Sequence, residues 1–136
     1  MAYDDTHHER LAFTLRLVAE RAHAEPIKQI MRQPTVKGLY RVSIHYHDLR
    51  ALDVVATVLR RGVTEATLTL SYDGLPHLKP IIHALSLERY NAFALALQKL
   101  HFDKLKDQPR LPQYGADVWM VERAASTFIH GLLLSP

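Results

Sequence analysis

The sharpest chemical feature of the sequence is a pair of histidines separated by a single residue, His45 and His47. If this segment is a strand, the two side chains project from the same face with their Cα atoms roughly 6–7 Å apart. Imidazole is a common ligand of divalent metals, so this spacing can supply two ligands to one ion. A third ligand is needed, and the candidates are Asp48, His77 and His83. The sequence therefore predicts, as one alternative, a metal site centred on His45 and His47.

The His-Tyr-His pattern resembles the metal-binding histidine pair of the nickase and transposase group, which is built on a ferredoxin-like core. The resemblance covers three residues of this chain. It implies a metal-dependent nuclease or nickase. It also implies a tyrosine nucleophile on a helix, for which Tyr90 is the candidate. The strand order inferred below places the histidine pair on the first strand of the sheet.

Other catalytic signatures do not occur in the sequence. The chain has no cysteine, which excludes a disulfide framework, a thiolate zinc site and a cysteine nucleophile. Its five glycines are isolated, so there is no glycine-rich phosphate loop, and no Gly-x-Ser-x-Gly motif is present. The carboxylates are scattered near turns and helix ends, so they do not define an acid/base pair. These absences favour a protein that is not an enzyme and that needs no cofactor.

Positive charge is concentrated in one part of the chain. The formal net charge is +3, and residues 26–61 hold seven basic side chains against two acidic ones. Such a segment attracts phosphate groups, which raises the alternative of a nucleic-acid-binding accessory protein. The basic side chains assigned to this role are Lys37, Arg41, Arg50, Arg60 and Arg61. An ordinary solvated surface would explain the same composition.

The N-terminal segment predicts a long helix with a broad apolar face. Leu11, Leu15 and Val18 recur at helical spacing, and Phe13 and Leu17 widen the stripe. A stripe this broad suggests burial on more than one side. These five residues are therefore predicted to bind a partner, which is either another protein or a second copy of the chain.

Residues 1–36 are interpreted as an N-terminal helix that either kinks at Pro26 or begins a short second helix there. Residues 37–136 are interpreted as a single α+β domain. Within it, residues 39–47 alternate with a period of two, which predicts a strand with one buried face and one open face. The apolar face, which begins at Tyr40, is expected to be the buried one.

The next segments predict a helix followed by a hairpin. Residues 48–62 combine a capping aspartate, an apolar stripe and a terminal glycine, which together are typical of a helix. Residues 66–85 predict a hairpin around Asp73-Gly74. Prolines in the returning strand place it at the edge of a sheet, because proline cannot donate to a ladder of hydrogen bonds.

The remaining segments complete the predicted fold. Residues 87–102 predict a helix capped by Ser86. Residues 118–134 fit either one helix or two strands, and two strands meeting near Ala125 are favoured because the order then matches a known packing arrangement. That order is an α+β fold with a ferredoxin-like β-α-β-β-α-β core, an N-terminal helix in front, an extra C-terminal strand and an antiparallel sheet. One sheet face stays open unless a partner or the N-terminal helix covers it.

We therefore predict a non-catalytic protein-interaction or assembly module that binds a protein partner or itself, the latter as a homodimer. The alternatives are the nucleic-acid-binding accessory protein and the metal-dependent nuclease or nickase. The acidic first residues do not resemble the basic N-terminal region of a signal peptide, and no apolar run is long enough to span a bilayer. A cytoplasmic location without membrane contact is expected.

Overall fold

The computed structural model describes residues 5–48, 50–74, 79–112 and 115–136. The helices in these ranges are α1 (Asp5–Arg21), α2 (Ile27–Met31) and α3 (Leu87–Lys99), with a short 3₁₀ helix at Phe102–Lys104. The strands are β1 (Val36–His45), β2 (Val54–Arg61), β3 (Glu65–Tyr72), β4 (Ile81–Leu85), β5 (Val118–Ala125) and β6 (Phe128–Leu134).

All six strands belong to one antiparallel sheet with the order β4-β3-β2-β1-β5-β6. β1 to β4 form a meander toward one edge, and α3 then returns the chain across the sheet so that β5 pairs with the other side of β1. The ferredoxin-like prediction is therefore wrong. Such a core needs a helix between its first two strands, and the described residues between β1 and β2 form a turn instead.

The helix predicted for residues 48–62 is in fact this turn followed by β2. Val55, Thr57 and Leu59 alternate with less buried residues, as expected of a strand. Because β2 carries apolar side chains on both faces, some of them also fall at helical spacing, and the pattern does not distinguish the two structures. Half of the residues of β2 are β-branched, which favours a strand. Gly62, with a φ of 59°, lies in the turn to β3.

The main core lies between the N-terminal helices and one face of the sheet. We call this the α1 face, and on β1 it carries Leu39, Arg41 and Ser43. Apolar side chains of α1 and α2 pack there against side chains of β1, β2, β5 and β6. The buried apolar residues of this layer are Leu15 and Val18 of α1, Ile27 and Ile30 of α2, and Ala22, which directly follows α1.

The prediction of which face of β1 is buried is also wrong. Arg41 and Ser43 on the α1 face are only 4% and 1% exposed. The opposite face, which we call the α3 face, is buried at Tyr40, but Val42 and Ile44 remain half-buried. The reason is that α1 and α2 bury four apolar side chains against the sheet and Ala22 after α1 adds a fifth, whereas α3 buries one residue.

α3 is seated on the sheet through its one buried residue, Tyr90. Ser86 caps the helix as predicted, its hydroxyl accepting a hydrogen bond from the N–H of Arg89 at 3.1 Å. The ring centroids of Tyr90 and Tyr40 lie 5.9 Å apart. The Tyr90 hydroxyl lies over Gly38, where an added Cβ would be 2.7 Å from the oxygen. The absence of a side chain at Gly38 therefore permits this close approach.

Two predicted strand pairs are present. β5 and β6 form the hairpin favoured for residues 118–134, with its turn after Ala125. β3 and β4 pair as predicted, and β4 lies at an edge of the sheet. β4 begins only at Ile81, so the connection is longer than the two-residue turn predicted at Asp73-Gly74. Part of that connection lies outside the described residues.

Candidate functional site

His45 and His47, the predicted metal pair, hold different partners at the end of β1. His45 Nδ1 lies 2.7 Å from Oδ2 of Asp53, and His47 Nδ1 lies 2.9 Å from Oδ1 of Asp117. β1 ends at His45, so the chain turns between the two histidines. The two imidazoles are therefore parts of two separate hydrogen-bonded pairs.

A cluster of potential metal ligands does exist, but it contains His47 without His45. One ligand atom each of His47, Asp48 and Asp117 lies within 4.8 Å of the others. The Arg50 guanidinium contacts both aspartates, with Nη1 at 3.2 Å from Oδ2 of Asp48. The hydrogen bond from His47 holds the pKa of Asp117 below its usual range, and Arg50 adds to this effect. Arg50 thus already supplies the positive charge that a bound cation would bring, and a divalent ion would have to displace it.

The residues of the nuclease or nickase alternative are not brought together. His83 lies on β4, three strands from β1, and His77 lies outside the described residues. Tyr90 lies over Gly38, at the opposite end of β1 from His45, which on a strand corresponds to roughly 20 Å. Burial raises the pKa of Tyr90 to about 12, which disfavours formation of a nucleophilic phenolate. The geometry does not support this alternative.

The five basic residues assigned to nucleic acid are dispersed over the molecule. Lys37, Arg60 and Arg61 lie at the start of β1 and the end of β2, whereas Arg50 lies at the opposite end of the sheet. Arg41 is buried beneath the N-terminal helices. All five donate hydrogen bonds within the chain. They do not form one phosphate-binding surface.

The predicted partner-binding stripe of α1 is divided between the core and the surface. Leu15 and Val18 are buried against the sheet of their own chain, so they are not available to a partner. Leu11 and Leu17 are half-buried, and Phe13 alone of the five is broadly exposed, at 61%. The buried part of the stripe follows the contacts of α1 with four strands, whereas Phe13 extends the stripe onto the exposed side of the helix.

The sheet edge at β6 is covered by the segment 105–112. The N–H of Gln108 donates to the carbonyl oxygen of Leu133 at 2.8 Å, and the N–H of Leu133 donates to Oδ1 of Asp107 at 2.8 Å. His8 Nε2 lies 3.0 Å from the carbonyl oxygen of Gln108, and because a carbonyl can only accept, this nitrogen is the donor. α1 and this segment together protect the edge from pairing with other strands.

The opposite edge, β4, has no comparable cover from the part of the chain that is described. Its sequence is Ile-Ile-His-Ala-Leu, without a permanently charged side chain, and its first four residues are exposed. Ile82, at 68% exposed, points to the α1 face and Ile81 to the α3 face. An edge of this kind presents apolar side chains together with unpaired backbone N–H and C=O groups.

A cavity of about 900 Å³ lies between the N-terminal helices and the α1 face. Its floor holds Arg41, Ser43 and Glu122. Arg41 donates to Oγ1 of Thr57 at 3.0 Å and to the carbonyl oxygen of Glu25 at 2.6 Å. The carboxylate of Glu122 makes no hydrogen bond or ion pair with any residue that the structure describes. Burial raises the pKa of Glu122, and the nearby positive charge of Arg41 partly opposes this shift. Burial lowers the pKa of Arg41, because in both residues it disfavours the charged form.

The burial of three polar residues, His7, His8 and Glu122, was not predicted from the sequence. His7 and His8 are buried, although they stand near the start of α1. A signal exists for His8, which precedes Leu11 by three residues and so extends the apolar stripe. Glu122 follows Met120 by two residues, so the predicted strand alone would place it on the same buried face.

None of the helices in the described ranges combines the length and the apolar character that crossing a bilayer requires. Comparison of the chain with family models, with curated proteins and with solved structures finds no match. The functional proposals therefore rest on the geometry of this chain.

Proposed function

We propose that the protein is a non-catalytic interaction module that self-associates through β4. The observation that carries this proposal is the contrast between the two edges of the sheet. Segment 105–112 covers β6, whereas β4 is apolar, exposed and unpaired on its outer side within the described residues. Pairing with β4 of a second copy would satisfy its backbone groups and continue one sheet across both molecules.

The composition of β4 suits a second copy of the same strand. In an antiparallel pair centred on His83, Ile82 lies opposite Ala84 of the other copy, and Ile81 lies opposite Leu85. Each of these cross-strand pairs is apolar and brings no like charges together, which supports pairing.

Two neighbouring features favour a short and fixed pairing. Pro80 precedes β4 and has no N–H to donate, so it limits the pairing to the five residues of the strand. On the α3 face, Leu68 and Leu70 of β3 are half-buried beside β4. The side chains of an added strand would cover them further.

The test is the mass of the full chain in solution, measured by light scattering coupled to size-exclusion chromatography. We expect a dimer for the unmodified protein and a shift to monomer for Ile82→Lys. In that variant each of the two paired strands would carry a lysine in place of an apolar side chain. Phe13→Lys is the matched control, since Phe13 is similarly exposed but lies on α1. A monomeric unmodified protein contradicts the proposal, and so does a dimer that Phe13→Lys disrupts and Ile82→Lys does not.

A further inference from the structure

Two opposite charges at the floor of the cavity face the same space without contacting each other, so each only partly offsets the desolvation of the other. Arg41 and Glu122 are directly opposed on β1 and β5, and both line the cavity. No ion pair within 4.0 Å joins them or links either one to another described residue. Burying a charge without a counter-ion is costly, so a molecule that bridged the two would be bound favourably.

The hydrogen bonds of Arg41 explain why the two side chains separate. Its Nε is directed to Thr57 on β2 and one Nη to the carbonyl oxygen of Glu25, in the connection between α1 and α2. A guanidinium has five N–H donors, so donors remain for an anionic group in the cavity. Glu122 can only accept when it is ionised, and its carboxylate is free to receive an ammonium group.

The rest of the cavity determines what kind of molecule fits. Its walls include apolar side chains from both helices and from β5 and β6, namely Leu15, Ala19, Ile27, Met120 and Ile129. The rim carries Arg16 and Lys28 against Glu20 and Glu25, so it favours neither a net cation nor a net anion. The volume lies within the range of roughly 300–1,000 Å³ that is usual for small-molecule sites.

We infer that this cavity binds a small zwitterion with an apolar body, of the class of apolar α-amino acids. The carboxylate of the ligand pairs with Arg41, its ammonium pairs with Glu122, and its side chain lies against Met120 and the exposed part of Ile129. This inference is independent of self-association, because the cavity and β4 are formed by different residues.

Calorimetric titration of the full-length protein tests the inference with L-phenylalanine and L-leucine as probes. Phenethylamine lacks the carboxylate and 3-phenylpropionate lacks the ammonium group, so each should bind at least roughly tenfold more weakly than L-phenylalanine. The absence of binding by both amino acids at millimolar concentration would overturn the inference. Equal affinity for phenylalanine and its two truncated analogues would overturn it as well.

A conservative variant assigns the contact. Glu122→Gln keeps the size of the side chain and should weaken the binding of L-phenylalanine at least roughly tenfold. The binding of 3-phenylpropionate should not weaken, because this anion has no ammonium group and the variant removes a like charge from the cavity. Glu88→Gln, which changes an exposed carboxylate on α3 outside the cavity, is the matched control and should leave both affinities nearly unchanged. If Glu122→Gln binds phenylalanine as the unmodified protein does, the proposed ammonium contact does not exist.

Discussion

Arg41 and Glu122 are direct cross-strand neighbours on β1 and β5, yet their charged groups form no ion pair. Arg41 is instead bonded to the connection between α1 and α2, which it holds onto the sheet through the carbonyl oxygen of Glu25. Glu122 is left as a half-buried carboxylate whose pKa is raised by burial. This separation has a consequence for stability as well as for binding.

Replacing Glu122 with glutamine should stabilise the fold at neutral pH by roughly 1 kcal/mol, because the desolvation cost of the carboxylate is removed. The folded-state pKa lies above the unfolded value of 4.5, so this group favours folding most below pH 4.5. That contribution is lost as the pH rises through the raised folded pKa. Urea unfolding of both proteins between about pH 3.5 and 8 should show that the difference in their free energies of unfolding grows with increasing pH. A variant less stable than the unmodified protein at pH 8 would contradict this account.

Replacing Gly38 with alanine should destabilise the protein by about 1–3 kcal/mol, because the added Cβ would lie 2.7 Å from the Tyr90 hydroxyl oxygen. The double variant Gly38→Ala/Tyr90→Phe removes that oxygen, and the next ring atom is 4.0 Å away. Part of the lost stability should therefore return in urea unfolding experiments. Strictly additive effects of the two substitutions would show that this contact does not limit the docking of α3.

Tyr90 should also set a limit on stability at high pH. Its pKa is raised to about 12 by burial, from an ordinary value of 10.0. The folded state therefore holds this proton more tightly, and the associated stability is present below pH 10 and lost between about pH 10 and 12. Tyr90→Phe should lose less stability over that interval than the unmodified protein. In an absorbance titration, the same substitution should remove a late-titrating group from the six tyrosines, and an unchanged titration would contradict the assignment.

Replacing His8 with alanine should loosen the cover of the β6 edge. The variant loses the bond to the carbonyl oxygen of Gln108, which should cost about 1 kcal/mol. Hydrogen exchange should accelerate at residues 105–112 and in β6, since the segment is bonded to that strand. The exposed neighbour Glu9→Ala is the control and should leave exchange there unchanged. Equal exchange in both variants would show that His8 does not hold the segment.

Elements with a clear local signal were predictable from the sequence. The break at Pro26, the helix capped by Ser86 and the hairpin over residues 118–134 all depend on residues close together in the chain. β2 was not predictable in this way. Residues 54–61 are apolar on both faces, and they form a strand because β1 and β3 pair with them from outside the segment.

The candidate sites required knowledge of packing between distant segments. Arg41 has the sequence pattern of an exposed strand residue, and it is buried only because α1 and α2 cover that face of the sheet. The role of segment 105–112 depends on β6 and on His8, which no local pattern connects. The edge position of β4 was predictable, since Pro80 signals it, but the cover that distinguishes β6 was not.

Cysteine cross-linking at His83 tests self-association through β4 most directly. The chain has no cysteine of its own, so His83→Cys carries a single thiol. Directly opposed residues of an antiparallel pair have Cα atoms about 4.5–5.5 Å apart, which suits a disulfide. Under mild oxidation we predict a cross-linked dimer on a non-reducing gel for His83→Cys and mostly monomer for the exposed control Phe13→Cys. Cross-linking at Phe13→Cys that equals or exceeds that at His83→Cys would contradict the account.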